Sequence, residues 1–143
     1  MASRVFTTRT RVRYAETDAS GIVYYGSYFV YFELGRIEMF RALGLRYDHH
    51  LPIVETRCRF HASARFDDEL EIRTRVERVG RTSFSIASEV HRMGHEPALL
   101  ARGVTAMVTV DDDVQPIPLP EGFRRAFAEQ TGEQSEEQSD DPA

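Results

Sequence analysis

Five stretches of the chain alternate apolar and other residues with a period of two, the pattern of a β-strand with one buried face. They cover residues 4–14, 53–66, 69–79, 83–93 and 98–110. The last four follow one another directly, and the breaks between them, FDDE, GRT and GHEP, carry turn residues. We therefore expect an antiparallel sheet with one face on a core and the other facing solvent or a second subunit.

A single long helix is predicted between the first two strands, at residues 27–43. It contains no proline and ends before Gly44, a residue type favoured just past a helix C-terminus. Its apolar residues lie on nearly every side, so other structure must surround it. The pattern predicts an α+β domain in which a curved sheet wraps one long helix. The segment PEGFRRAFAEQ adds a short C-terminal helix.

The net charge of -5 comes from the C-terminal end of the 143-residue chain. Six acids follow the last arginine, Arg125, and without them the body is close to neutral. They are Glu129, Glu133, Glu136, Glu137, Asp140 and Asp141. Because this end is polar and lacks apolar periodicity, we predict a disordered acidic tail at 129–143 behind a single domain at 1–128.

Composition excludes several classes of function. All 18 basic residues are arginines, which excludes lysine Schiff-base and phosphate-loop chemistry. No apolar run approaches the ~20 residues of a membrane span, and the N-terminus has no apolar signal region, so the cytosol is the expected location. Glutamates interrupt the arginine-rich strand faces, so a sheet-to-sheet contact between subunits explains those faces better than nucleic acid does. Uncovered sheet edges also favour oligomerisation.

Cysteine and histidine give no sign of a metal or redox site. Cys58 is the only cysteine, so it has no partner for an internal disulfide, and its place in an alternating strand indicates a small buried apolar residue. His49 and His50 lie beside Asp48, but neighbouring loop residues point in different directions and no further ligand has suitable spacing. We predict no bound metal.

The segment YAETDASGIVYYGSYFVYFE, Tyr14 to Glu33, brings one acid close to the start of the predicted helix. Its loop carries Asp18, and the following helix end has unpaired backbone N–H groups and a partial positive charge. Such N–H groups can hold the oxygen of a polarised carbonyl, while a fixed carboxylate attacks that carbonyl or activates water. The alternative is that Asp18 only caps the loop or the helix.

This segment resembles the signature of the hotdog-fold acyl-CoA thioesterases of the 4-hydroxybenzoyl-CoA thioesterase family, including a bacterial branch associated with the Tol-Pal system. The later segments SARFDDELEI and VGRTSFSI are similar to strand starts of that family, so the resemblance spans about residues 4–110. It implies a hotdog fold, a long central helix wrapped by a five-stranded antiparallel sheet. It also implies catalysis at a subunit interface, a homotetramer built as a dimer of dimers, and no cofactor or metal.

The resemblance also implies roles for individual residues. Asp18 occupies the position of the nucleophile or general base, and the backbone N–H groups of Tyr25 and Gly26 would polarise the thioester carbonyl. Many relatives in the bacterial branch carry histidine where this chain has Tyr25. Because the oxyanion donor is a backbone group, this departure affects the expected substrate preference and not the reaction.

Substrate contacts are predicted at three places. Tyr24 and Tyr28 lie at the helix start, where Tyr28 could line an acyl pocket or pack in the core. Glu33 interrupts an apolar helical face, and an ion pair with Arg36 is the preferred interpretation over a direct role. The resemblance places the CoA nucleotide near a turn with phosphate-seeking donors. That turn carries Arg78, Arg81, Thr82 and Ser83, with Arg65, Arg124 and Arg125 as further candidates.

The predicted function is therefore hydrolysis of an aromatic or short- to medium-chain acyl-CoA. The aromatic residues near the helix start slightly favour a flat ring as the acyl group, although such side chains also pack cores. Acyl carrier protein in place of CoA stays open. Two alternatives keep the fold: a non-catalytic acyl-CoA-binding module, and a hydratase or dehydratase. The latter would need a histidine paired with the acid, and the Asp18 segment contains none.

Overall fold

The computed structural model describes residues 4–131. Its strands are β1 (Phe6–Arg11), β2 (Ile53–Phe60), β3 (Glu69–Val79), β4 (Ser83–Arg92) and β5 (Ala98–Val108), and its helices are α1 (Ser27–Leu43) and α2 (Glu121–Thr131). The strands form one antiparallel sheet in the order β1-β3-β4-β5-β2, and α1 packs against its inner face. The expected hotdog arrangement of one long helix against a five-stranded antiparallel sheet is confirmed.

Some element bounds agree with the predicted ones, and several strands end earlier than predicted. Helix α1 and strand β3 have the predicted limits. The first strand stops at Arg11, before a short 3-10 turn at Tyr14–Glu16. The second stops at Phe60, because the N–H groups of the next two residues both donate to the carbonyl of Leu100. Helix α2 includes residues 129–131 of the predicted tail, and the rest of that tail lies outside the described residues.

Small residues let α1 lie close to the sheet. A Cβ atom at Gly35 would overlap Thr74 Oγ1 and lie 2.7 Å from Ile72 Cγ2. A Cβ atom at Gly103, on the facing strand β5, would lie 2.5 Å from the ring of Phe32. These glycines bring helix and sheet backbones together, and larger apolar side chains fill the core on either side of them.

Strand β2 differs from the prediction of a half-buried strand. Only Cys58 among its residues is partly covered, and Phe60 has 45% of its surface exposed. The strand lies at the edge of the sheet, on the far side from β1, where the single chain supplies little to cover its apolar residues. On helix α1, Val30 is also 45% exposed, so the chain wraps this helix incompletely.

The outer face of the sheet carries paired charges. Arg9 contacts Glu69 and Glu71 at 3.1 and 3.2 Å, and Arg73 contacts Glu71 at 3.0 Å. On β4, Glu89 accepts from His91 and Arg102. Several of these arginines are thus neutralised within the chain. The predicted contact between sheets of two subunits stays a prediction.

His50 joins two loops at the end of the sheet opposite Asp18. Its Nδ1 lies 3.2 Å from Asp48 Oδ1 and its Nε2 lies 2.7 Å from Asp112 Oδ1. The hydrogen bond with Asp112 is the main reason that the pKa of His50 is raised, and Asp48 adds to it. The ligand atoms of Asp48, His49 and His50 lie within 4.8 Å of one another. Because both ring nitrogens of His50 face carboxylates, an imidazolium ion explains this cluster, and the absence of a bound metal stays a prediction.

The raised pKa of His50 makes part of the stability depend on pH. A histidine whose folded-state pKa is raised stabilises the fold below its unfolded pKa, and the contribution is lost as pH rises through the folded pKa. We expect thermal melts of the wild type and His50→Asn to differ most near pH 6 and to converge by about pH 9. His95→Asn is the control, because His95 is exposed in a hairpin turn. A wild-type advantage that grows with pH would contradict the assignment.

No helix within residues 4–131 is both long enough and apolar enough to cross a membrane.

Candidate active site

A small hairpin between β1 and α1 carries Asp18. Thr17 and Val23 form an antiparallel bridge, and the Asp18 N–H donates to the carbonyl of Ile22 at 2.9 Å. The Gly21 N–H donates to the Asp18 carbonyl at 2.9 Å, and Gly21 adopts a φ of 83°, a conformation that favours glycine. The sequence DASG therefore forms a tight turn with Asp18 at its first position.

The Asp18 carboxylate lies on the exposed side of this turn. Its Oδ1 accepts the Ser20 N–H at 2.8 Å, which fixes the side chain over the turn. Between residues 4 and 131 it has no ion-pair partner. A Cβ atom at Gly21 would lie 3.8 Å from Arg65 Nη1, so this guanidinium approaches the same turn. The capping alternative is partly right, because the carboxylate caps its own turn, yet one of its oxygens has no partner in the described chain.

Two backbone N–H groups at the start of α1 are unpaired in the part of the chain that the structure describes. The Ser27 N–H donates to the carbonyl of Tyr24 at 2.8 Å, and those of Tyr28 and Phe29 donate three residues back at 3.2 Å each. The Tyr24 N–H donates to the Glu16 carbonyl at 2.9 Å. The N–H groups of Tyr25 and Gly26, between these, are left without an acceptor. They are the two donors predicted from the sequence.

Glu16 is a site residue that the sequence analysis missed. The residue is 9% exposed, and its side chain accepts hydrogen bonds from the Arg13 N–H, Arg13 Nε and the Tyr31 hydroxyl. Burial alone would raise the pKa of Glu16, but these hydrogen bonds together outweigh burial and lower it. The contacts of Glu16 were not predictable because apolar–polar alternation continues through Tyr14 and predicts a strand up to that residue. The structure breaks that strand, and the 3-10 turn places Arg13 against Glu16.

Aromatic rings surround the helix start. The ring centroids of Tyr24 and Tyr25 lie 4.7 Å apart, and both residues are exposed. Phe60 of β2 contacts Tyr25 at 6.3 Å and Tyr28 at 5.5 Å between centroids. Tyr28 is only 2% exposed, and its hydroxyl accepts the Ala64 N–H at 3.3 Å. The structure therefore favours core packing for Tyr28 and leaves Tyr24 and Tyr25 as the accessible rings.

The predicted ion pair between Glu33 and Arg36 is wrong. Arg36 is 2% exposed and donates to the Tyr47 hydroxyl at 3.2 Å and to Thr105 Oγ1 at 3.3 Å. Glu33 lies on the exposed side of α1, without an ion-pair partner among residues 4–131. The two residues are three apart in sequence, but Arg36 faces the core and Glu33 faces solvent, so they do not form a contact. A substrate role for Glu33 stays a prediction.

The predicted CoA-binding turn does not lie near Asp18 in the same chain. Ile22 pairs with Arg65 just before β3, whereas the turn follows the other end of that strand. Eleven residues of strand correspond to about 35 Å at the usual rise. The turn and the Asp18 hairpin therefore lie at opposite ends of β3, and a contact of the turn with CoA stays a prediction.

The side chains at this turn also differ in availability. Thr82 is 5% exposed and Ser83 is fully buried, so their predicted role as surface phosphate donors is corrected. The segment after β5 covers them: Thr109 donates to the Thr82 carbonyl at 2.9 Å, and Arg124 Nη2 donates to the Arg81 carbonyl at 3.1 Å. The side chain of Arg81 is exposed, whereas Arg78 is partly buried.

Cys58 is partly buried, so the prediction of a small buried apolar residue holds in part. It packs against the core cluster around Phe32, and burial raises the pKa of its thiol to about 11. A thiol with such a pKa is almost entirely protonated at neutral pH, and the thiolate is the reactive form. Cys58 is therefore a poor nucleophile.

A long helix packed against a five-stranded antiparallel sheet is the hotdog arrangement, and the segment just before this helix carries the Asp18 carboxylate and two unpaired amides. A family model described as the thioesterase superfamily matches residues 20–98. The chain belongs to this superfamily and is a thioester hydrolase.

Individual relatives agree with this assignment. The chain is 29% identical over 140 residues to the acyl-CoA thioester hydrolase YbgC of Escherichia coli O157:H7, covering 89% of this chain and 98% of that protein. A solved structure of a hypothetical protein, TT1821 from Thermus thermophilus, has 33% identity and a TM-score of 0.79, covering 89% of this chain and 98% of the other. The 4-hydroxybenzoyl CoA thioesterase of Pseudomonas sp. strain CBS-3 has 24% identity and a TM-score of 0.79, covering 87% and 99%, and shares the fold.

Proposed function

We propose that this protein hydrolyses an acyl-CoA to the free acid and CoA, with Asp18 as nucleophile or general base and the Tyr25 and Gly26 amides as the oxyanion site. One observation carries the proposal: two adjacent unpaired N–H groups lie just before α1, directly after the hairpin that presents an unpaired carboxylate oxygen. Amides held in place in this way stabilise the negative oxygen that develops as the carbonyl carbon becomes tetrahedral.

Two routes use the same residues. In the first, an Asp18 oxygen bonds to the thioester carbon, the C–S bond breaks and CoA leaves as a thiolate that takes a proton. Water then cleaves the acyl anhydride, which releases the acid and restores Asp18. In the second, Asp18 accepts a proton from water while that water attacks the carbon, and the proton passes to the departing sulfur. In both routes the two amides donate to the carbonyl oxygen.

A second copy of the chain would complete the site. Asp18, Tyr24 and Tyr25 are exposed in the single chain, and so is most of the edge strand β2. In such an open site bulk water would hydrogen-bond to the amides and the carboxylate and weaken their interaction with the thioester, so a covering surface is needed. Pairing of β2 with another copy would satisfy its free edge and cover Phe60. This supports a homo-oligomer, and the tetramer built as a dimer of dimers stays a prediction.

The acyl group would lie against the exposed rings of Tyr24 and Tyr25, which favour a flat aromatic or a short to medium chain. The name of the Pseudomonas relative, a 4-hydroxybenzoyl CoA thioesterase, agrees with an aromatic acid. Arg78 and Arg81 of another subunit could contact the CoA phosphates. Acyl carrier protein as the carrier, a cytosolic location and an association with the Tol-Pal system stay predictions.

The test is steady-state hydrolysis of acyl-CoAs from acetyl to palmitoyl, together with benzoyl-, 4-hydroxybenzoyl- and 1,4-dihydroxy-2-naphthoyl-CoA and one acyl carrier protein thioester. The free thiol released by hydrolysis is measured by the absorbance of a reagent that reacts with thiols. We expect the highest kcat/KM with an aromatic or short- to medium-chain CoA thioester. Saturable binding of these compounds without thiol release would contradict hydrolysis and favour the non-catalytic binding module.

A further inference from the structure

Glu16 connects the two halves of the candidate active site. It lies two residues before Asp18, at the base of the same hairpin. Its Oε1 accepts from the Arg13 N–H at 2.9 Å and from the Tyr31 hydroxyl at 2.7 Å, and its Oε2 accepts from Arg13 Nε at 2.8 Å. These contacts anchor the hairpin to the end of the first strand and to the second turn of α1.

The backbone of Glu16 holds the other half. Its carbonyl oxygen accepts the Tyr24 N–H at 2.9 Å and the Ser27 hydroxyl at 3.1 Å. These two donors flank Tyr25 and Gly26, whose N–H groups are unpaired in the described chain. One residue therefore fixes the segment before Asp18 through its side chain and the segment with the two amides through its carbonyl.

The side chain at this position must be a carboxylate. All three partners of the Glu16 side chain are donors, so a group with two accepting oxygens satisfies them. Glutamine has one accepting oxygen, so its NH2 group would face Arg13 Nε in one orientation and the Arg13 backbone N–H in the other, donor against donor in both. A buried polar group left unpaired is costly, so the hairpin would shift to relieve the mismatch.

We propose that Glu16 is a positioning residue for thioester hydrolysis, which sets the separation between the Asp18 carboxylate and the Tyr25 and Gly26 amides. This inference rests on the proposed function. Glu16 does not touch the substrate: it acts through Asp18 and the helix start. Misplacement of reacting groups by about 1 Å can lower a rate by about a hundredfold, so a small shift of the hairpin is enough to affect turnover.

The test compares Glu16→Gln with Glu71→Gln in the full chain. Glu71 also accepts from two arginines, Arg9 and Arg73, but lies on the outer face of β3 away from the hairpin. We expect Glu16→Gln to lower kcat at least about tenfold with KM changed less than about threefold. Glu71→Gln should leave both constants unchanged. All assays are run well below the melting temperature that circular dichroism gives for each variant.

A second variant keeps the test decisive if Glu16→Gln does not fold. Tyr31→Phe removes one donor to Oε1 and leaves the carboxylate in place. It should lower kcat several-fold at constant KM, since Arg13 is then the only residue that holds the carboxylate in place. Wild-type kcat in Tyr31→Phe, or in a folded Glu16→Gln, overturns the inference.

The failure of this inference and that of the proposed function have different signatures. If Asp18→Asn hydrolyses thioesters at the wild-type rate, the proposed role of Asp18 fails whatever Glu16 does. If Asp18→Asn is inactive while folded Glu16→Gln keeps wild-type kcat, only the positioning role fails. In the Asp18→Asn background, Glu16→Gln should cause a smaller further loss than in the wild type, because Glu16 acts largely through Asp18.

Discussion

Replacing Asp18 with asparagine is expected to lower kcat for thioester hydrolysis by about 10²–10⁴-fold, the range for loss of a positioned acid–base group. Asparagine has nearly the same shape, and its Oδ1 can still accept the Ser20 N–H that Asp18 accepts at 2.8 Å. The turn should therefore keep its geometry. Neither route survives, because an amide oxygen is a weak nucleophile toward a thioester and a weak base toward water.

The control for this variant is Asp113→Asn. Asp113 is exposed in a loop at the opposite end of the sheet, so the same chemical change there should leave kcat and KM at wild-type values. Both variants should melt within a few degrees of the wild type. The oxyanion amides are unaffected in Asp18→Asn, so the folded variant should still bind acyl-CoA. An Asp18→Asn enzyme with wild-type turnover would show that another group performs the chemistry.

The fold was predictable from periodicity because each element has a strong local signal. Gly44 fixes the end of α1 with a φ of 72°, and the turn residues after Val79 separate two strands that pair as a hairpin. The prediction failed where alternation continued past the sheet. Residues 12–14 and 61–66 keep an apolar–polar rhythm but turn away to hold the Asp18 hairpin, which contacts Arg65 and Ala64.

The site was predictable only in part. Asp18 and the amides of Tyr25 and Gly26 follow from one short segment, and in the described chain both amides and one Asp18 carboxylate oxygen have no hydrogen-bond partner. The contacts of Glu16 depend on a 3-10 turn and on Tyr31, fifteen residues later. Arg36 bonds Thr105, sixty-nine residues away, so local spacing to Glu33 could not reveal its partner. Long-range packing decides such contacts, and a local pattern does not encode it.

The position of the site also depends on how closely α1 approaches the sheet, because the two residues just before this helix carry the two amides. Gly35 faces β3 at the point of closest approach. Thr74 Oγ1 and Ile72 Cγ2 lie so close to Gly35 that there is no room for a methyl group. Thr74 Oγ1 has no hydrogen-bond partner in the described chain. Helix propensity alone would favour alanine at position 35, since glycine inside a helix costs about 1 kcal/mol relative to alanine.

We expect Gly35→Ala to lower the free energy of unfolding by about 1–3 kcal/mol, because overpacking a close contact outweighs the gain in helix propensity. Gly122→Ala is the matched control: Gly122 lies in the first turn of α2, and its added Cβ would meet nothing within 4 Å. There the same methyl group should raise stability by up to about 1 kcal/mol. Chemical denaturation of both variants measures the two effects, which have opposite signs.

A double variant tests the cause. Thr74→Ala removes the buried, unpaired hydroxyl that the new methyl group would strike, so Gly35→Ala with Thr74→Ala should recover part of the lost stability. Contact with Ile72 Cγ2 would remain, so recovery should be incomplete. Because a displaced α1 carries the Tyr25 and Gly26 amides with it, kcat should fall in Gly35→Ala and rise again in the double variant. A Gly35→Ala protein as stable as Gly122→Ala would mean that the close approach of helix and sheet does not limit this fold.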